Sequence, residues 1–421
     1  MASSLRGDTA DRLRLNENLL ATSGQWFKNA RLAAAERVES QGLPQRRDEY
    51  WGYTQPDAFL QKKIDFDVDL NSPLELFSKE LSEVINYKNG ILQEKKLPAI
   101  PGCSVESLSD AATLDNHWAG TVFGKLEAVG QIPVQRSLAA LNTATASQGL
   151  LILVTGKVKK PIRINAVCEG TSDTIIHHII KVERGANVTL IETGQYGARA
   201  NVVLEVEVEG DGTFNHIRLQ NGHEHNALTH IFGRIGTNST FKSFTLTSGG
   251  RLTRNECILD LVGDSSRVSV AGACIGDEKF HHDDTVFVTH NAANCESRQV
   301  FKKVLRDGSV GVFQGKILVK AGAQKTDGYQ ISQSLLLDDN SQFLAKPELE
   351  IYADDVVCSH GSTSGAIDEE ALFYLRSRGV PKAKAIDLLT LSFIAEAIQE
   401  VESPELADAL LAHVTAVLEV R

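Results

Sequence analysis

A chain of 421 residues can bury a large core and is expected to hold two or three structural regions. Its net charge of −11 and pI near 5.6 provide no basic field to neutralise phosphates, so nucleic acid is excluded as a partner and other proteins are favoured. Aromatics make up 6% and Met occurs once, against 33 Gly, a balance that suits many tight turns better than a bulky helical core.

The first residues, MASSLRGDTADRLRLNENLL, lack an apolar core of signal-peptide length and carry Asp8, Asp11 and Glu17. No run approaches membrane-spanning length. A cytoplasmic, reducing setting with free thiols is therefore expected, with no membrane partner. The six cysteines, Cys103, Cys168, Cys257, Cys274, Cys295 and Cys358, are scattered and include no C-x-x-C, so they do not form a self-contained zinc or iron–sulfur motif.

Residues 10–40 read as helix: Leu13, Leu20, Phe27, Leu32 and Val38 form a loose apolar stripe, and Gly42, Leu43 and Pro44 stop it. In the next stretch, Glu49-x-Trp51-x-Tyr53-Thr54, the two aromatics are expected to dock the helical region on the rest of the chain. Leu74 to Tyr87 suggests another helix. Residues 91–141 give mixed signals and no assignment.

From Leu150 the pattern changes to short β-rich runs separated by Gly, Asn and Asp turns. Turn signals at Gly185, Gly210, Gly236 and Gly263 recur at intervals of 25, 26 and 27 residues, the spacing of a solenoid coil. The expected fold is mainly β: a right-handed parallel β-helix flanked by N- and C-terminal α-helical regions. Its boundaries are read as 1–95 (helical), 96–360 (β-helix with a mixed lead-in) and 361–421 (helical). The open ends of such a helix invite strand pairing, so the flanking helices are expected as caps.

Several clusters carry potential chemistry. His281-His282-Asp283-Asp284 is the densest set of ligand types, but neighbours on a strand point to opposite faces, so a solvated corner turn is expected there. His223-Glu224-His225 has same-face spacing within a polar loop. His177, His216, His230 and His290 are expected at the surface or in ladders. Gly311-Val312-Phe313-Gln314-Gly315-Lys316 is not a phosphate loop, because one residue is missing and Ile317 replaces Ser or Thr. No G-x-S-x-G, H-E-x-x-H or dinucleotide fingerprint occurs.

The densest signal lies between Lys346 and Val380. Leu349, Ile351 and Ala353 alternate with Glu350 and Tyr352 as in a half-buried strand, Asp354-Asp355 make a turn, and Val356-Val357 begin a second run. Residues two apart share a face, so the Cys358 thiol and His360 imidazole lie on one side. Gly361 to Gly365 are expected to loosen the backbone, and Asp368 to cap a helix. Two more helices come after it, one opened by Pro381 and one by Ser403-Pro404.

Lys346-Pro347-x-Leu349-Glu350-Ile351-Tyr352-Ala353-Asp354-Asp355-Val356-x-Cys358-Ser359-His360-Gly361, with Asp368-Glu369-Glu370-Ala371-Leu372-Phe373-Tyr374-Leu375-Arg376-Ser377-Arg378-Gly379, closely resembles the C-terminal signature of the SufD branch of the SufB/SufD family. Ser297-Arg298-Gln299, Gly311-Val312-Phe313, Ala323-Gln324-x-Thr326-Asp327, Leu335-Leu336-Leu337 and the Glu49-x-Trp51 stretch extend the likeness over most of the chain. Ser362 stands where Ala is more usual. The resemblance implies a non-catalytic scaffold subunit of SUF iron–sulfur cluster assembly. It also implies a heterodimer with a SufB-like protein, a SufC-like ABC ATPase docked on the C-terminal helices, and a transient Fe–S cluster at the SufB interface. It makes His360 the candidate cofactor and metal ligand, with Cys358 either a second ligand or a structural thiol. Removing residues beyond Gly379 is expected to abolish ATPase docking and leave the solenoid soluble. Two alternatives remain: a polysaccharide-active β-helix enzyme using Asp283, Asp284, Asp354 or Asp355 as paired carboxylates, and a passive solenoid adaptor without a cluster.

Overall fold

The structure, a computed structural model, describes residues 22–61, 64, 81–222, 225–278 and 280–419. Its centre is a parallel β-solenoid of about 7 turns. Each coil places one strand in each of two sheets: Asp173–Val182 lies in one, Asn187–Gly194 in the other, and Arg199–Val208 returns to the first, in register with Asp173–Val182. At one corner Asp211, Asn238, Ser265, Asn294 and Lys325 all adopt positive φ, one per coil, with spacing that grows from 27 to 31 residues. This ladder is the turn period legible in the sequence. Adding a Cβ to Gly263 would bring it 2.0 Å from the Thr237 amide nitrogen, so only glycine fits that close stacking of turns.

Strand alternation sorts side chains between the lumen and two outer faces. The main core fills the lumen with Val188, Leu204, Phe214, Phe241, Leu259, Val288 and their neighbours. One outer face packs the Gln25–Gln41 and Ser137–Thr145 helices with the aromatic segment around Trp51. Trp51 is buried there beneath Arg254, whose guanidinium carbon lies 4.2 Å from the ring centroid, whereas Tyr53 remains exposed. Trp51 therefore docks the N-terminal region, and Tyr53 does not share that role. The other outer face carries the C-terminal helices Lys382–Ile398 and Pro404–Glu419, whose Ile394, Ile398, Leu410 and Val414 cover Ile217, Phe244, Leu246 and Val300.

Several expectations change. The flanking helices lie along the sheet faces and do not cap the last coil, because their apolar stripes match the apolar outer faces. Glu83–Lys88 is a strand paired with Ile162–Val167, not the end of a helix; the preceding 74–80 lie outside the described residues, as does the helical reading before residue 22. The mixed 91–141 stretch resolves into short strands at Ile91–Leu92 and Cys103–Ser107, single helical turns, and the start of the Ser137–Thr145 helix. Cys103–Ser107 pairs antiparallel with Leu150–Val154 and Ile91–Leu92 antiparallel with Glu83–Lys88, and these two strands form the first edge of each sheet. Gly361 to Gly365 do not loosen the chain: strand pairing continues through Gly365.

After the last strand, Asp368 accepts hydrogen bonds from the Glu370 and Ala371 amides (2.9 and 3.0 Å), capping the helix Glu369–Ser377 as expected.

Candidate functional site at the open terminal coil

The solenoid ends with Gln342–Ile351 in one sheet and Val356–Gly365 in the other, and among the described residues no further strand extends either. The preceding strand Val310–Val319 is largely buried, but no residue within either terminal strand is fully buried. The inner face of one coil is therefore presented to solvent.

Cys358 and His360 both lie on this coil. In register, Cys358 stacks on Gly328 and Ser297, and His360 on Gln330 and Gln299. Beside them, Ser362 and Ser364 accept from the hydroxyls of Ser332 (3.0 Å) and Ser334 (2.9 Å), which ties the last strand to the one before it. The expected same-face pairing follows from this alternation. The two side chains nevertheless differ in setting. Cys358 is half-buried against Ile317, Val319 and Ala323, and its sulfur would stand 3.2 Å from a Cβ on Gly328. Burial pushes its thiol pKa up, opposed in part by the Gly328 backbone, so the resting group is a neutral thiol. His360 is exposed. Beneath it Gln330 and Gln299 are fully buried, and none of their amide atoms finds a hydrogen-bond partner among the described residues.

One thiol and one imidazole do not fill an iron or zinc coordination sphere. Among the described residues, no group of three or more His, Cys, Asp and Glu side chains is placed to hold a metal ion.

The remaining clusters are structural. His281–His290 is a strand and not a corner turn: the solenoid lumen buries His282 and Asp284, and the N-terminal region covers Asp283. On its outer side Asp283 binds Arg254 and accepts from Thr54, and His281 Nε2 lies 3.1 Å from the Thr54 hydroxyl. On its lumenal side Asp284 meets Lys303 Nζ (2.6 Å) and His282 Nε2 (3.0 Å). These carboxylates face opposite ways and are ion-paired, while Asp354 and Asp355 are exposed, so they do not make the facing pair a glycosidase needs. His177, His216, His230 and His290 are buried rather than at the surface. His223 and Glu224 lie outside the described residues; His225 is buried.

Sequence reasoning missed the polar seam inside the solenoid. Arg218 Nε and Nη2 donate to Glu192 (2.9 and 2.6 Å), Arg218 Nη1 donates to Thr229 (2.9 Å), and Thr229 donates to Asn255 (2.7 Å). The signal was present in Phe214-x-His216-x-Arg218-x-Gln220, where polar residues occupy the inward phase of a strand begun by an aromatic.

These features define a class: a parallel β-solenoid, sheathed by helices along both faces, with antiparallel strands at its first end and a parallel coil at its last. The SUF system FeS cluster assembly SufBD core domain matches residues 165–393, and the SufBD protein N-terminal region matches 13–164. The chain is 27% identical over 387 residues to the iron–sulfur cluster assembly protein SufD of Escherichia coli K12, covering 89% of each chain. It is 25% identical over 403 residues to SufD of Bacillus subtilis 168, covering 89% of this chain and 90% of that protein. A SufBD family protein of Synechocystis is 25% identical over 404 residues, with 89% and 87% covered. The chain belongs to the SufBD family of iron–sulfur cluster assembly proteins. Among the described residues, no helix is long and apolar enough to cross a membrane.

Proposed function

We propose that this chain is a non-catalytic scaffold subunit of a cytoplasmic SUF complex. Its open terminal coil pairs with a SufB-like protein, the nascent Fe–S cluster is built at that junction, and its C-terminal helices dock a SufC-like ABC ATPase that supplies the nucleotide hydrolysis. The observation that carries the reading is the exposed coil itself: a family member in cluster assembly leaves one inner face open and sets Cys358 and His360 on it. The cluster is cargo here. His360 would offer a neutral imidazole nitrogen to iron, or accept a proton, while the partner provides most of the ligands. Cys358, half-buried and neutral, is better suited to packing than to first capture of sulfur. Three working regions are kept from the divisions 1–95, 96–360 and 361–421, with the solenoid's paired strands reaching from Glu83–Lys88 to Val356–Gly365 across both boundaries.

The test is co-expression of the His360→Ala chain with its SufB-like and SufC-like partners, followed by anaerobic Fe–S absorbance per assembled complex. Loss of absorbance with assembly intact is expected. Retained absorbance would assign the chemistry to the SufB-like chain and leave this one as a passive adaptor. Cys358→Ser is expected to retain the absorbance.

A further inference from the structure

The helices Lys382–Ile398 and Pro404–Glu419 cover the outer face of the second sheet with apolar side chains, but the elbow that joins them does not close onto it. Beneath the elbow the outward residues of successive strands are Thr189, Asn215, Lys242 and Ser269, stacked in register, so the apolar face gives way to a polar column. A cavity of about 320 Å³ lies between that column and the elbow residues Glu400, Val401, Glu402 and Ser403. Ligand pockets run from about 300 to 1,000 Å³, so a space of this size suits a small molecule.

The roof of the cavity is held in place by polar contacts. Glu400 accepts from Arg298 Nε (2.7 Å) and from the Ser269 hydroxyl (3.1 Å), and Glu402 lies 3.5 Å from Lys242 Nζ. Arg298 neutralises Glu400 and the Glu402 carboxylate is well exposed, so Lys157 and Lys242 leave the lining with an excess of positive charge. Lys157 has no ion pair among the described residues, and the Asn187 carboxamide and Thr189 hydroxyl have no hydrogen-bond partner there. The 16-residue helix Pro404–Glu419 begins in the wall, where Ser403 accepts from the Leu406 amide (3.4 Å), and the positive end of its dipole adds to the field of the lysines. Ile217, Phe244 and Leu406 supply the apolar part of the lining.

We propose that this cavity binds a small organic anion with an apolar body. The anionic group lies at Lys157 and Lys242, the body packs on Phe244 and Leu406, and Asn187 and Thr189 offer hydrogen bonds. A wholly apolar ligand would leave those polar groups covered and unpaired, which is costly, and a cation would meet the unpaired charge of Lys157. An occupant touches both the sheet and the elbow, and so ties the helical pair to the solenoid. The cavity involves neither Cys358 nor His360, so the inference holds independently of the pairing and docking readings above.

The experiment titrates the purified full chain with 8-anilinonaphthalene-1-sulfonate, an aromatic anion, and with N-phenyl-1-naphthylamine, the same body without the charge. Fluorescence reads binding, and thermal midpoints are recorded for each variant. Lys157→Met combined with Lys242→Met removes both charges and keeps the apolar stems; it is expected to weaken the sulfonate at least about fivefold and the neutral probe less than about twofold. A smaller loss for the sulfonate, or an equal loss for the neutral probe, overturns the choice of an anion. Thr189→Trp fills the cavity from a half-buried strand position and is expected to weaken both probes at least about tenfold. Affinity unchanged in Thr189→Trp overturns the location, and failure of the unsubstituted chain to bind the sulfonate overturns the site. If Thr189→Trp does not fold, amide exchange on the unsubstituted chain decides: protection gained with the sulfonate at 400–403 supports the site, and protection confined to other segments overturns it.

Discussion

Acid should loosen this solenoid well before its carboxylates titrate. His178, His225, His230 and His290 are buried, and burial lowers the pKa of each to about 4. In the unfolded chain the same imidazoles titrate near 6.5. A folded pKa below the unfolded one contributes stability that is present above pH 6.5 and lost as the pH falls towards 4, because the unfolded chain takes up protons first. At pH 7.5 the loss is about 0.1 kcal/mol per residue, and at pH 5.5 about 1.4 kcal/mol; four such residues together cost about 5 kcal/mol. At pH 5.5 the figure is set almost wholly by the unfolded pKa, because the buried imidazoles are still neutral at that pH. The assay is the urea midpoint at pH 7.5 and 5.5 at fixed ionic strength, with His290→Gln as the probe, since His290 Nε2 meets the Ser297 hydroxyl at 2.8 Å and a carboxamide can replace that contact. The variant should reduce the pH-dependent loss by about 1.3 kcal/mol. Equal stability at the two pH values, or an unchanged slope in His290→Gln, would refute the claim that these imidazoles are buried in neutral form.

Three further outcomes are expected. Lys303→Met leaves the Asp284 carboxylate in the lumen without its cation and should cost about 3–5 kcal/mol of stability, read as a lower denaturant midpoint at unchanged slope. Trp51→Ala removes the ring between Arg254 and Phe59 and should cost about 3–5 kcal/mol, with limited proteolysis cutting first within the N-terminal region. Truncation after Gly379 should yield insoluble protein, contrary to the expectation from sequence, because it bares the sheet face under Ile394, Ile398, Leu410 and Val414, each worth roughly 1.5–3 kcal/mol of burial. Phe373→Ser, on an exposed ring, tests ATPase docking instead: pull-down of the SufC-like subunit should fall while the thermal midpoint is kept.

The solenoid was legible because its period is a backbone requirement. A corner that needs positive φ once per coil favours Gly, Asn and Asp in the sequence at that interval, as at Asp211, Asn238 and Asn294, although Ser265 and Lys325 fill two of the same corners. The Asp368 cap was legible for the same reason, being a local bond between one side chain and amides two and three residues on. What the helices cover was not legible, since an apolar stripe states that it must be buried without stating where. Glu83–Lys88 was misread because its strand state is imposed by Ile162–Val167, a partner about eighty residues away.

At the site, the shared face of Cys358 and His360 follows from a period of two and needed no structure. The contrast between them did need it: one sits over Gly328 against Ile317, and the other over buried glutamines at the rim. His282 and Asp284 show the converse. Their spacing is the same as that of Cys358 and His360, yet another coil and the N-terminal region enclose their strand, and Lys303 neutralises the carboxylate. Two residues apart on a strand is therefore an arrangement this fold uses both for structure and for exposure. What separates the two uses is whether a next coil exists: among the described residues none follows Gly365, so the face that encloses His282 and Asp284 in the interior leaves His360 at the surface.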